Sequence, residues 1–102
     1  MTQRYLKLSE VVRRVGIDAR VVELLESEAL IHPTHTLDDD VVVSADDADR
    51  IRLARILTEE LDVNLAGVEV ILHMREEMVA LQQQFDEILA VLVQELRRRL
   101  QP

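Results

Sequence analysis

Apolar residues recur along this chain at helical intervals, and the few interruptions set its organisation. In LSEVVRRVG, residues 8–16, Val11, Val12 and Val15 give one apolar side. Ser9 is placed to cap the start of that helix, and Gly16 to close its end in the left-handed conformation. A second helix restarts at once in IDARVVELLESEALIHP, residues 17–33, with Asp18 as N-cap and Val21, Val22, Leu24 and Leu25 inside it. It must stop before Pro33, because a proline pushes the residue ahead of it out of the α region. Two short helices joined through a glycine turn make a helix-turn-helix pattern.

The period then changes. In THTLDDDVVVS, β-prone runs at residues 34–37 and 41–43 flank an aspartate turn, which predicts a small two-stranded hairpin leaning on the helices. Ser44, three residues before Asp47, opens the next helix as a variant capping box, and Ile51, Ala54, Leu57 and Leu61 fall on its buried side. DVNLAG breaks the chain again, with Asn64 as the next N-cap, and from Leu65 nothing interrupts a helix until Pro102. Residues 1–63 and 64–102 therefore read as two parts, a small domain and a long helix.

Along that helix Ile71, Met74, Met78, Leu81, Phe85, Ile88 and Leu92 alternate steps of three and four, a heptad stripe that shifts to steps of four at Leu96 and Leu100. Residues 65–100 would span roughly 54 Å, at 1.5 Å per residue. A helix of that length overhangs so small a domain and needs a partner for its far end. The expected partner is a second copy, paired as a coiled coil through Ile71, Met74, Met78, Leu81, Phe85, Ile88, Leu92 and Leu96. The alternative is that the helix folds back on its own domain.

Charge sharpens the picture. The formal net charge is −8, and it is unevenly spread: residues 1–20 hold five Lys/Arg and two acids, residues 21–49 nine acids and no Lys or Arg, residues 50–102 seven Arg and nine acids. An anionic block of that kind repels phosphate backbones and suits a basic protein partner. Asp46, Asp47 and Asp49 lie where a helix start favours negative charge, so they have a structural reading as well as a functional one. Asp38, Asp39 and Asp40 have only turn preference, which asks for one or two Asp.

Other chemistry finds little here. The chain has no Cys, so disulfides and thiolate metal sites are excluded. His32 and His35 have HxxH spacing, but His32 abuts Pro33 and a closed zinc site wants four ligands, so no metal is expected. DDDVVVSADD lacks the spacing and the glycine of an EF-hand loop. With no glycine-rich phosphate loop and no Ser-His-acid grouping, neither a cofactor nor an enzyme activity is expected. Met74 and Met78 could line an adaptable groove, but their heptad spacing favours the dimer core. No apolar run approaches a membrane span, and the N-terminus lacks the apolar core of a secretory signal, so a cytoplasmic protein is expected.

The order of elements, with ELDVNLAGVEVIL at residues 60–72 and EALIHP at residues 28–33, resembles the MerR-like winged helix-turn-helix superfamily. The first motif resembles the segment before the dimerisation helix in its HspR-like and CbpM-like branch, the second the end of the second helix leading into the wing. The resemblance implies a mainly α fold, a winged helix-turn-helix with a small β-hairpin wing and a long C-terminal dimerisation helix. DNA-binding members typically carry an Arg and paired aromatics along the recognition helix and a Gly-Tyr-Arg-like wing turn. This chain keeps Arg20 but has Val22, Glu23, Leu24 and Leu25 where the aromatics fall, and Asp38, Asp39 and Asp40 in the wing turn. DNA affinity rests on Lys and Arg neutralising phosphates, so DNA binding is disfavoured.

The chaperone modulators of the CbpM family look like the same fold turned to a protein partner, the J domain of a DnaJ/CbpA-type co-chaperone, and the resemblance implies that binding blocks the J domain's work with its DnaK-type chaperone. J domains present a basic helix, and Glu23, Glu26, Asp38, Asp39 and Asp40 are the residues expected to meet it. The second reading is an HspR-like transcriptional regulator with Arg4, Lys7, Arg13, Arg14 and Arg20 facing DNA. A dimeric scaffold for some other basic partner fits the same charge map.

Overall fold

A computed structural model describes residues 4–101. Its elements are β1 (Tyr5–Lys7), α1 (Leu8–Val15), α2 (Ala19–Ser27), β2 (Thr34–His35), β3 (Val41–Ser44), α3 (Ala45–Arg55), which runs into a π-helical turn (Ile56–Glu60), and α4 (Leu65–Leu100). This is a mainly α chain with a small antiparallel sheet, a winged helix-turn-helix followed by a long C-terminal helix. The described residues fall into two compact units, the first ending at Leu72 and the second beginning at His73, so the start of α4 belongs with the domain.

The wing has one strand more than the predicted hairpin. β3 is central, with β2 on one edge and β1 on the other, in the order β1-β3-β2. Tyr5, Leu6 and Lys7 pair with Ser44, Val43 and Val42. That pairing also corrects the expected start of α1. Lys7 is still extended, at φ −66° and ψ 127°, so the helix begins on the next residue with no side-chain cap, and Ser9 sits inside its first turn.

Elsewhere the local signals hold. Gly16 closes α1 at φ 73°, donating its N–H to the Val12 carbonyl. The Asp18 carboxylate accepts the Arg20 backbone N–H at 2.8 Å and caps α2. Ser44 accepts from the Asp47 N–H to cap α3, and Asn64 Oδ1 accepts from the Gly67 N–H to cap α4. At its far end α2 closes in a Schellman arrangement: Leu30 N–H reaches the Leu25 carbonyl at 2.8 Å and Ala29 N–H the Glu26 carbonyl at 3.1 Å. The left-handed position falls on Ala29, at φ 56°, where glycine is the usual occupant.

The core of the first unit is aliphatic. Leu25 from α2, Ile31 from the loop after it, Val43 from β3, Ile51 from α3 and Val68 and Leu72 from the first turns of α4 are its largest fully buried side chains. Each such side chain contributes about 1.5–3 kcal/mol on transfer from water. Ile51, Ala54 and Leu57 are buried as expected, but Leu61 is 63% exposed. The cause is the π-helical turn, in which Leu61 N–H bonds the Ile56 carbonyl five residues back. The extra residue in that turn rotates the apolar stripe by roughly 100°, and Leu61 leaves the core.

α4 is one uninterrupted helix of 36 residues. In the second unit its large apolar side chains stand exposed. No helix among the described residues is long and apolar enough to cross a membrane.

Candidate functional site

The aspartate turn between β2 and β3 is a three-residue loop of defined geometry. Thr36 N–H bonds the Asp40 carbonyl at 2.8 Å, and Asp39 N–H bonds the Thr36 carbonyl at 3.0 Å. Asp39 takes the left-handed conformation that ends such a loop, at φ 63°, and Asp is one of the few side chains that tolerates it. Asp40 donates its N–H to the Thr36 hydroxyl at 3.2 Å, and its carboxylate lies 3.8 Å from the Lys7 ammonium across the sheet. Asp39 lies 3.6 Å from His35 Nδ1. Asp38 has no ion-pair partner among the described residues.

The three carboxylates are thus held together but differ in office. Asp39 satisfies the backbone, Asp40 neutralises a neighbouring lysine, and Asp38 is committed to nothing. Beside it Leu37, expected as a strand residue, sits fully exposed at the tip of the loop. Sequence reasoning missed it, although Thr-Leu-Asp-Asp-Asp with an αL-tolerant fourth residue is the signature of a three-residue hairpin loop.

Glu23 and Glu26 are exposed one turn apart on α2. No hydrogen bond or ion pair joins them to the wing turn. The expected acidic residues therefore form two groups on the winged domain, one on α2 and one at the wing tip.

The acids of α3 have structural roles. Asp47 is 3% exposed, accepts the His32 backbone N–H at 3.0 Å and pairs with Arg50 at 2.8 Å. Asp49 is paired with Arg52 at 2.6 Å, and Asp46 is exposed in the first turn.

Two of the five basic residues expected on a DNA-facing surface are bound by this chain's own acids. Lys7 faces Asp40, and Arg20 holds Asp18 at 3.2 Å. The hydrogen bond from the Arg20 guanidinium, aided by the Arg20 backbone N–H, keeps the Asp18 carboxyl below its ordinary value and raises that of Arg20. Arg4, Arg13 and Arg14 are exposed. A groove nearby is lined by Leu6, Val11, Ile56, Arg14, Arg52 and Arg55, among others, but Arg52 and Arg55 turn to Asp49 and to Glu59 and Glu60. His32 and His35 belong to no group of three or more potential metal ligands among the described residues.

On α4, Ile71 is partly buried and packs on the domain core. Met74, Met78, Leu81, Phe85, Ile88, Leu92 and Leu96 are each more than half exposed. They follow one another at steps of three and four on one face of the helix, an exposed apolar seam.

The family model described as MerR HTH family regulatory protein matches residues 6–89, from β1 through most of α4. No curated protein matches the chain.

Proposed function

Because the chain belongs to the family of MerR HTH regulatory proteins, we propose that it regulates by binding another protein, as a non-enzymatic chaperone modulator that engages and inhibits the J domain of a DnaJ/CbpA-type co-chaperone. The observation that carries this reading is the charge of the wing. The turn that would approach a duplex presents Asp38 and Asp39, while Lys7 and Arg20 are already paired with Asp40 and Asp18. Phosphate binding needs free cations at those points, whereas a basic helix needs the carboxylates. Glu23 and Glu26 on α2 supply a second acidic contact, and the seam on α4 pairs two copies, so that each dimer offers two wings.

Calorimetric titration with the J domain of the co-chaperone from the same organism, at low and moderate salt, tests this. Saturable binding near one J domain per chain, weakening as salt rises, is the expected result. No heat at either salt, with the chain shown to be folded, rejects it.

The second reading is an HspR-like DNA-binding regulator. Arg13 and Arg14 favour it, because both are exposed at the end of α1 and make no ion pair among the described residues. Duplex binding in a gel shift, with affinity falling steeply with salt, would move that reading to first place.

A further inference from the structure

Within the winged domain, between α1 and the junction of α3 with the π-helical turn, lies a groove of about 480 Å³. Small-molecule sites occupy about 300–1,000 Å³. Its floor is apolar: Leu6 comes from β1, Val11 and Val15 from α1, and Ile56 from the first residue of the π-helical turn. Val11 belongs to the buried core, and Leu6 and Val15 pack against it. Ile56 is 40% exposed, so a large apolar side chain stands open to water at this groove.

Cations stand around that floor. Arg14 makes neither an ion pair nor a hydrogen bond among the described residues. Arg55 reaches Glu59 at 3.2 Å and Glu60 at 3.6 Å, and its Nε–H, although buried, meets no acceptor in hydrogen-bonding geometry. Well-aligned guanidinium–carboxylate bonds close to about 2.7–2.9 Å, so Arg55 is loosely held. Arg52, the third arginine of the groove, is by contrast fixed on Asp49 at 2.6 Å.

Two guanidinium groups with donors to spare, set over an apolar floor, match an anion with an apolar body. Glu10 lines the same groove and has no ion-pair partner among the described residues, which disfavours a polyanion and leaves room for a single negative charge. The part of α1 that lines the groove runs from Glu10 to Val15, about 8 Å at 1.5 Å per residue. That is too short for the row of anchors by which a helical peptide docks.

We propose that this groove binds a small amphipathic carboxylate, its acid group on Arg14 and Arg55 and its hydrocarbon body against Leu6, Val11, Val15 and Ile56. None of these residues belongs to the acidic surface of α2 and the wing tip, so such a ligand and a J domain can occupy the chain together.

NMR titration of the full chain with decanoate tests it, with acetate and decylamine as controls for the charge and for the alkyl tail. Decanoate should shift the methyl signals of Val11, Val15 and Ile56 saturably into the millimolar range, and neither control should do so. Arg14→Gln should weaken binding at least threefold, and Ile56→Glu should abolish it. Glu10→Gln should tighten it, a gain that damage to the fold could not produce. An amide spectrum otherwise unchanged shows that each variant is folded. Decylamine acting as well as decanoate, or shifts confined to α4, overturn the proposal. So does an affinity that ignores both Arg14→Gln and Glu10→Gln, or the absence of any saturable shift.

Discussion

The side-chain carboxylate of Asp47, in the first turn of α3, accepts the backbone N–H of His32, in the loop after α2, at 3.0 Å. The same carboxylate holds Arg50 at 2.8 Å and is almost fully buried. One acid of the anionic middle third therefore ties the helix-turn-helix to the helix that follows the wing. Asp47→Ala takes the acceptor from the His32 amide and one partner from the Arg50 guanidinium, so it should cost about 1–3 kcal/mol. Asp47→Asn keeps an oxygen for His32 and should cost less. Urea denaturation followed by circular dichroism measures both, and equal midpoints for wild type and Asp47→Ala would dismiss the tie.

Ala29 should respond in the opposite direction. Its φ of 56° costs an L-residue about 1–2 kcal/mol. Glycine relieves that and gives back about 0.5–1 kcal/mol in unfolded-state freedom. Ala29→Gly should raise stability by about 0.5–1 kcal/mol, seen as a later urea midpoint with an unchanged slope.

Asp18 gives a pH dependence whose sign is fixed by its pairing with Arg20. Its carboxyl is lowered from the ordinary 3.8, so its contribution is present in full above the unfolded value and fades as pH falls through the folded one. Both side chains are solvated, so the effect on stability is small and screened by salt. An NMR titration should place the Asp18 midpoint below 3.8, and Arg20→Gln should move it back toward that value.

The wing offers a charge test that spares the fold. Asp39→Lys would strain the left-handed position, and Asp40→Lys would face Lys7, so neither is clean. Asp38→Lys with Glu23→Lys and Glu26→Lys changes exposed residues only. At about 0.2–1 kcal/mol per exposed pair, the triple change should weaken J-domain affinity about threefold to a hundredfold. Leu37→Ala probes the exposed tip separately. Unaltered affinity in the triple variant would sink the acidic surface.

Phe85 lies midway along the exposed seam. Phe85→Glu should convert a dimer into monomers in sedimentation, with loss of helical signal from the second unit, because an isolated helix in water is marginal. A dimer of unchanged affinity would place the contact elsewhere.

The legible parts of this fold are those governed by short-range rules. Gly16, Asp18, Ser44 and Asn64 mark helix ends because each answers an orphaned backbone group within a few residues. β1 was invisible because Tyr5, Leu6 and Lys7 become a strand only by pairing with β3, a contact across some forty positions of chain. Leu61 was misplaced because a periodic reading carries no knowledge of an inserted π-helical residue. At the site, the clustering of Asp38, Asp39 and Asp40 was readable, but their division of labour was not. It depends on Lys7 and His35, which the sheet and the turn bring near.

Val68 and Leu72 complete the domain core from the same helix that carries the exposed seam. Folding of the winged domain and the proposed pairing of two copies would thus share a stretch of backbone. Mass action then acts on both, since whatever binds the associated, folded form draws the unfolded population down with it. If two copies pair through the seam as proposed, the midpoint of thermal unfolding becomes a function of how much protein is present, and dilution alone works as a mild denaturant of the wing.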